Sequence, residues 1–279
     1  MKYLIIGGTG TLGHELAKRL IRQDVTIFSR CELKQQEMKL KFPGFKYVVG
    51  DIRNLETLDR LFRGHFDTVF HVAALKHVDV LESNPEEAVQ TNIIGTTNIA
   101  DMCERYGVRN CVFSSTDKAV EPINSYGASK FLAEKILLNR NRGFCRFVVY
   151  RWGNILGSRG SAIPRFVQSL KTDGSVSITD MAMTRFWLTI EQAVTFMFDT
   201  YRTCDESVPQ IPNCKAASIP EVVDALSKIL NLEMAHFKLV GLRPGEKIHE
   251  TLKPGLVSKT APQFTRDELI EFLKPMVSA

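Results

Sequence analysis

No apolar run in this chain approaches the eighteen or so residues that a membrane-spanning helix requires, so a transmembrane protein is excluded. The opening run Lys2-Tyr3-Leu4-Ile5-Ile6 meets Gly7 too soon to be the apolar region of a signal peptide. The six cysteines (31, 103, 111, 145, 204, 214) contain no C-x-x-C pair, which excludes a zinc ribbon and gives no disulfide framework. Cys111 and Cys145 lie inside apolar, strand-like runs, where a buried free thiol and a reducing compartment are expected. His71 and His77 lack the one-face spacing of a metal pair, so their expected roles are structural and no metal site is expected. There is no basic block: 36 Lys and Arg are interspersed with 31 Asp and Glu, a formal charge of +5 that argues against nucleic acid and is compatible with a phosphate-bearing substrate. Repeats and low-complexity tracts are also missing. A soluble cytoplasmic protein, one large α/β domain with an appended smaller lobe, is the expectation.

What is present begins at the first residues. The strand 2–6 runs directly into Gly7-Gly8-Thr9-Gly10-Thr11-Leu12-Gly13, and Leu12, Leu16 and Leu20 then recur at helical spacing. A glycine turn between strand and helix lets the backbone approach a pyrophosphate, to which the helix N-terminus offers free N–H groups. The spacing is G-x-x-G-x-x-G, as in short-chain dehydrogenases. The next strand, 25–28, ends in Ser29-Arg30 with Lys34 a turn later. Cations where a ribose-binding acid commonly stands suit a 2′-phosphate and so predict NADP. Strand 45–49 ends in Gly50-Asp51-Ile52, where Asp51 either meets the adenine or caps the following helix, 55–62. Strand 68–71 ends in Val72-Ala73-Ala74-Leu75-Lys76, small residues against which a cofactor can lie, with Lys76 facing either diphosphate or substrate. A helix over 85–106 carries Thr91-Asn92 and Gly95, and 144–150 is a further strand. Strands alternating with helices predict a Rossmann-type, doubly wound parallel sheet whose ligands sit beyond the strands' carboxyl ends. The candidate cofactor-binding residues are Gly7, Thr9, Gly10, Thr11, Leu12, Gly13, Ser29, Arg30, Lys34, Asp51, Ile52, Val72, Ala73, Ala74, Asn92, Ser114, Ser115, Tyr126 and Lys130.

The stretch 111–135 concentrates the chemistry. A buried strand, Cys111-Val112-Phe113, ends in Ser114-Ser115-Thr116-Asp117-Lys118, and a turn leads to Tyr126-Gly127-Ala128-Ser129-Lys130 at the start of a helix. Tyr126 and Lys130, four apart, share a helix face. An ammonium beside a phenol favours the phenolate, a proton acceptor for a hydroxyl undergoing oxidation. From Arg151 the texture becomes loop-rich. Helices are expected near 163–170, 189–201, 219–230 and 267–276, with a short strand near 176–178; Met183-Thr184-Arg185-Phe186-Trp187 precedes the second of these helices, and the third leads to Phe237-Lys238-Leu239-Val240. The division is a cofactor domain over 1–150 and a substrate lobe over 151–279, some segments of which return to the first domain. Arg185 and Arg243 are candidates for anionic substrate groups.

Together these segments resemble the extended short-chain dehydrogenase/reductase family, and within it the inverting UDP-N-acetylglucosamine 4,6-dehydratases that begin pseudaminic acid synthesis. The resemblance runs through Gly7–Gly13, Ser29–Met38, Ala73–Val78, Thr91–Gly95, Ser115–Ala119, Tyr126–Lys130, Gly153–Pro164, Ile178–Trp187 and Gly241–Glu250, nearly the whole chain. Its specific part is Thr116-Asp117-Lys118, where retaining dehydratases carry Asp-Glu and 4-epimerases lack the pair. The resemblance implies that Tyr126, assisted by Lys130, takes the proton of the sugar's 4-hydroxyl while hydride passes to NADP. Lys118 would then remove the proton at carbon 5 and Asp117 would protonate the departing 6-hydroxyl. A lysine base needs a depressed pKa and an aspartic acid donor a raised one. The resemblance also implies a UDP-N-acetylglucosamine site lined by Lys76, Asn154, Ile163, Thr179, Arg243 and Glu246, and a homo-oligomer, a hexamer or a dimer. Two departures stand out. Cys31 replaces the family's aspartate after Ser-Arg, which puts the grip on the adenosine in question, and the chain ends early relative to the family. The rival readings are a 4-epimerase or retaining dehydratase and, outside catalysis, an NADP-binding regulator.

Overall fold

In β1 (Lys2–Ile6) alternate side chains feed two different cores: Leu4 and Ile6 point to one, Tyr3 and Ile5 to the other. A strand buried on both faces is what a sheet covered by helices on each side requires. The computed structural model describes residues 1–141, 143–233 and 235–277. After β1 the chain alternates through α1 (Thr11–Arg19), β2 (Asp24–Ser29), α2 (Glu32–Lys41), β3 (Lys46–Val49), α3 (Leu55–Phe62) and β4 (Thr68–His71). Two short turns of helix follow, α4 (Val78–Glu82) and α5 (Pro85–Ala88), then a π-helical stretch (Val89–Ile94) and α6 (Gly95–Arg105). β5 (Asn110–Ser114), α7 (Ser125–Asn139) and β6 (Arg146–Tyr150) complete the unit. The six strands pair in parallel in the order β3-β2-β1-β4-β5-β6. α3, α6 and α7 supply one core, with Leu58, Phe62, Ile99, Ala133 and Leu137; α1 and α2 supply the other, with Leu16, Ala17 and Met38.

The strand order reverses between β1 and β4, and the crevice at such a switch point is where this architecture takes ligands. There Gly7, at φ +83, faces the segment after β4, and a Cβ at Gly7 would lie 2.6 Å from the backbone nitrogen of Ala73. Only glycine admits both that backbone conformation and that approach.

The single helix expected over 85–106 is broken by the π-helical stretch at its centre. Asn92, inside that stretch, accepts from the Leu75 N–H at 2.9 Å and donates to the Leu75 carbonyl at 2.9 Å, standing in for a strand neighbour after β4 has ended. A widened turn that serves such a contact is a common use of π geometry.

The second half contains β7 (Asn154–Ile155), α8 (Ala162–Asp173), β8 (Ser175–Ile178), β9 (Thr184–Leu188), α9 (Ile190–Thr200), β10 (Lys215–Ser218), α10 (Ile219–Ile229), β11 (His236–Leu239), β12 (Thr251–Lys253), β13 (Leu256–Val257) and α11 (Arg266–Leu273). A third core joins α8, α10 and α11 through Ile163, Leu170, Val222, Leu226, Leu269 and Leu273. α9 instead lays Ala193, Val194 and Met197 on the main sheet beside α1. Thr184–Trp187, a passage given no element from the sequence, lies in β9 at the centre of the three-stranded sheet β10-β9-β7. Its Arg185 is buried because its guanidinium donates to the carbonyls of Thr184, Lys247 and Ile248, which replaces the water it gives up. No helix among the described residues is long and apolar enough to cross a membrane.

Candidate active site

Tyr126 owes its position to the docking of α7 against the short helical turn Asp117–Ala119. Asn124 caps α7, its side-chain oxygen accepting the Gly127 N–H at 2.7 Å. A Cβ on Gly127 would collide with the Lys118 carbonyl, so this glycine is what lets the first turn of α7 lie on the loop after β5. Thr116 caps the preceding turn and its hydroxyl donates to Asp117 Oδ1 at 3.0 Å. Four residues that are chemically useful, Thr116, Asp117, Lys118 and Tyr126, thereby share one wall.

Lys118 lies between two carboxylates. Its ammonium is 3.1 Å from Asp117 Oδ1 and 3.1 Å from Glu250 Oε1, and both carboxylate side chains are almost completely buried, at 1% and 2% exposure. Glu250 Oε1 is also 3.9 Å from Arg185 Nε. Burial opposes the Lys118 charge, yet the two carboxylates outweigh it and hold the pKa above the ordinary lysine value. The depressed lysine expected of a resting base is therefore not found: Lys118 is an ammonium until a proton leaves it. Asp117 Oδ2 and Glu250 Oε2 are buried and accept no hydrogen bond within the described residues.

Lys130 is placed differently from the expectation that it acts on Tyr126. Its ammonium donates to the Ser114 carbonyl at 2.6 Å and lies 3.8 Å above the Phe113 ring. Burial draws its pKa down to about 7, against the pull of the Glu134 carboxylate. Burial pushes the Tyr126 phenol up to about 12, and the cation that draws it back is Lys118, helped by Thr116. The Lys130 ammonium is anchored to a strand-end carbonyl, whereas the Lys118 charge, fixed between Asp117 and Glu250, acts on the phenol through space.

A cavity of about 850 Å³ joins these groups to the glycine turn. Gly7, Gly10, Thr11, Leu12, Gly13, Arg30, Lys34, Val72, Ala74, Lys76, Ser114, Ser115, Thr116, Asp117, Lys118, Tyr126, Lys130 and Asn154 all line it. Other expected residues support it from behind. Thr9 and Ser29 are buried, Ala73 packs against Gly7, and Asn92 holds Leu75 and Ser129. Asp51 is taken up by Arg53, with Oδ2 2.8 Å from its guanidinium, and the Ile52 carbonyl accepts from Asn98 at 3.0 Å. In the second lobe Ile163 is core, Thr179 donates to the Met183 sulfur, and Arg185 backs Glu250. Arg243 is exposed and its N–H donates to Glu246, which closes a turn outside the cavity wall. That loop is nevertheless tied to the site: Asn124 donates to the Gly245 carbonyl at 2.8 Å and Lys247 to the Val120 carbonyl at 2.6 Å. Among the cavity's other lining residues are Trp152, whose indole N–H donates to Ser114 Oγ at 3.0 Å, Arg159, which donates to the Thr9 carbonyl at 2.5 Å, and His77, expected from the sequence to be structural. Glu250 was also missed as a site residue. A lone acid at the end of an exposed-looking loop carries no signal of its own, and only the Gly241–Glu250 passage pointed to its surroundings.

The cradle fits a nicotinamide dinucleotide. Gly10, at the cap of α1, places no side chain over the helix N-terminus, so its N–H groups stay open to a diphosphate. Comparisons with known proteins agree with this architecture. Residues 3–267 match the family model described as polysaccharide biosynthesis protein. The chain is 39% identical over 261 residues to a UDP-N-acetylglucosamine 4,6-dehydratase (inverting) of Campylobacter jejuni, covering 89% of this chain and 76% of that one. It is 37% identical over 265 residues, with the same coverage, to a UDP-glucose 4-epimerase of Rickettsia felis. Among solved structures, that of Pen from Bacillus thuringiensis superposes with a TM-score of 0.91 at 30% identity, covering 99% of this chain and 97% of that one.

Proposed function

The chain belongs to the polysaccharide biosynthesis protein family, and from that premise we propose that it is a UDP-N-acetylglucosamine 4,6-dehydratase that inverts carbon 5. The observation that carries this reading is the Asp117–Lys118 ion pair, set beside Tyr126 in the cavity that begins at the glycine turn. The glycine turn Gly7–Gly13 would hold a nicotinamide dinucleotide, which would supply a hydride acceptor for carbon 4 and a hydride donor for carbon 6. NADP rather than NAD is favoured because Arg30 and Lys34 line the cavity beyond β2; Asp51, 3.9 Å from the Arg30 guanidinium, is held more closely by Arg53, at 2.8 Å.

Tyr126 receives the proton of the 4-hydroxyl as that carbon becomes a ketone, and Lys118 stabilises the phenolate that must form first. The ketone acidifies carbon 5. One proton passed from Lys118 to Asp117, across 3.1 Å, turns the resting ion pair into a neutral amine and a neutral carboxylic acid. The amine takes the carbon 5 proton and the acid protonates the 6-hydroxyl, which leaves as water. Base and acid are thus created by the same transfer, so a lysine that rests as an ammonium still serves as the base. Hydride addition at carbon 6 and protonation of carbon 5 from the opposite face give UDP-2-acetamido-2,6-dideoxy-β-L-arabino-hexos-4-ulose. Lys76 and Asn154 line the cavity where the UDP-sugar lies, and Arg243 and Glu246 sit on the loop tied beside it.

A 4-epimerase, the name borne by the Rickettsia relative, needs the tyrosine but has no use for an acid and a base at carbons 5 and 6. Incubation with UDP-N-acetylglucosamine and NADP, followed by proton NMR, tests the choice. A new 6-methyl signal is expected; formation of the galacto epimer with no methyl would refute the dehydratase reading.

A further inference from the structure

We propose that Glu250 is a positioning residue for Lys118, a second carboxylate that fixes the lysine opposite Asp117 and governs where its proton rests. This deepens the dehydratase reading and rests on it. The two partners of Lys118 are not equivalent. Asp117 is its chain neighbour and lines the cavity; Glu250 comes from the far end of the chain and is walled off from it. Glu250 is also held in ways a casual surface pair is not. Its side chain is 2% exposed, its own N–H donates to Ser258 Oγ at 2.9 Å, and Ser258 in turn meets Thr184. Behind it, Arg185 is locked by three backbone carbonyls and keeps Nε 3.9 Å from the same oxygen that Lys118 meets. A carboxylate anchored at its backbone and backed by a fixed guanidinium cannot follow Lys118 if the lysine swings, so the lysine must come to it.

The charged and titratable groups that face Lys118 are Asp117 on its own turn, Tyr126 from α7, Glu250 ahead of β12 and Arg185 from β9. Removing the Glu250 charge leaves one carboxylate against Arg185, so the ammonium loses stabilisation and gives up its proton at lower pH. The geometry of the lysine also slackens, because one of its two fixed partners is gone.

The test compares wild type with Glu250→Gln in two readouts. In the dehydration assay the variant should lose about 10- to 100-fold in kcat with little change in KM for the UDP-sugar, and the limb of its pH profile that reports the lysine should move to lower pH. Independently of turnover, ¹⁵N-lysine NMR of the cofactor-loaded protein, with the Lys118 signal assigned through Lys118→Arg, should show its Nζ titrating about one pH unit or more below wild type. An unchanged Lys118 titration overturns the proposal whether or not dehydration occurs. Wild type without dehydration, together with a shifted titration, rejects the functional reading alone. If Glu250→Gln does not fold, Glu250→Asp decides in the same NMR and kinetic measurements: it keeps a charge for Arg185 but withdraws it from Lys118, and wild-type kcat and titration in that variant overturn the proposal.

Discussion

At neutral pH Lys130 stands between its charged and neutral forms, because burial has drawn its pKa to about 7. An unfolded chain keeps the same lysine protonated to far higher pH. Between those two values the unfolded state binds more protons than the folded one, so the lysine's contribution makes stability rise with pH; below the folded value the burial penalty is present in full. Urea unfolding of the cofactor-free protein should therefore show a midpoint that climbs from pH 7 to 8.5, and Lys130→Met should flatten that climb. An identical slope in both proteins would mean that Lys130 is not the titrating group. Tyr126 is tested by removal of one oxygen. Tyr126→Phe should cut kcat by about 10²- to 10⁴-fold, measured as methyl formation, while NADPH fluorescence titration shows cofactor binding retained. The Tyr126–Lys130 spacing was readable because helical period alone puts residues four apart on one face. That the Lys118 charge, rather than that of Lys130, bears on the phenol was not readable, because it depends on what holds each ammonium: two carboxylates for Lys118, the Ser114 carbonyl for Lys130.

Elements carry the next set of expectations. α7 brings its N-terminus onto the Asp117–Ala119 turn through Gly127, where a Cβ would strike a backbone carbonyl that cannot step aside. Gly127→Ala should cost about 1–3 kcal/mol in denaturant unfolding and reduce activity more than NADPH affinity, since it separates Tyr126 from Lys118 while leaving the glycine turn alone. Asn124 has two roles, capping α7 and donating to the Gly245 carbonyl in the second lobe. Asn124→Ala should lower stability by about 1 kcal/mol and raise KM for the UDP-sugar; an unchanged KM would mean that the loop does not help hold substrate. The apolar strands β1, β2, β4, β5 and β6 were legible because both faces of each are largely buried. β9 was not, since the pattern Thr-Arg-Phe-Trp has a charge in it, and it takes the carbonyl of Thr184 and two distant ones, of Lys247 and Ile248, to make that arginine a tolerable strand residue. The break in the helix over 85–106 was equally hidden, as it answers a need of Leu75.

Over the whole molecule, the sheet, its switch point and the cavity above it follow from the order of strands and helices, which local patterns reveal. The lobes are knitted together by contacts between residues far apart in sequence: α9 on the main sheet, Lys247 on Val120, Glu250 on Lys118. No local pattern announces such pairings, and for that reason the wall of the candidate site was legible on its first-half side and silent on the other. Cofactor choice belongs to this scale as well, because it depends on the outer end of the cavity. Replacing Arg30 by aspartate should weaken NADPH binding about 10-fold or more relative to NADH, read by fluorescence titration of both, and an unchanged ratio would remove Arg30 as the 2′-phosphate partner. The central claim, that Lys118 and Asp117 carry an elimination with inversion at carbon 5, is tested most directly by running the reaction in deuterated water. The 6-methyl signal should appear as a singlet, with deuterium at carbon 5 and ring couplings of the arabino configuration, and Lys118→Ala should abolish it. A methyl doublet that keeps its carbon 5 proton, or a product of unchanged configuration, would contradict the account.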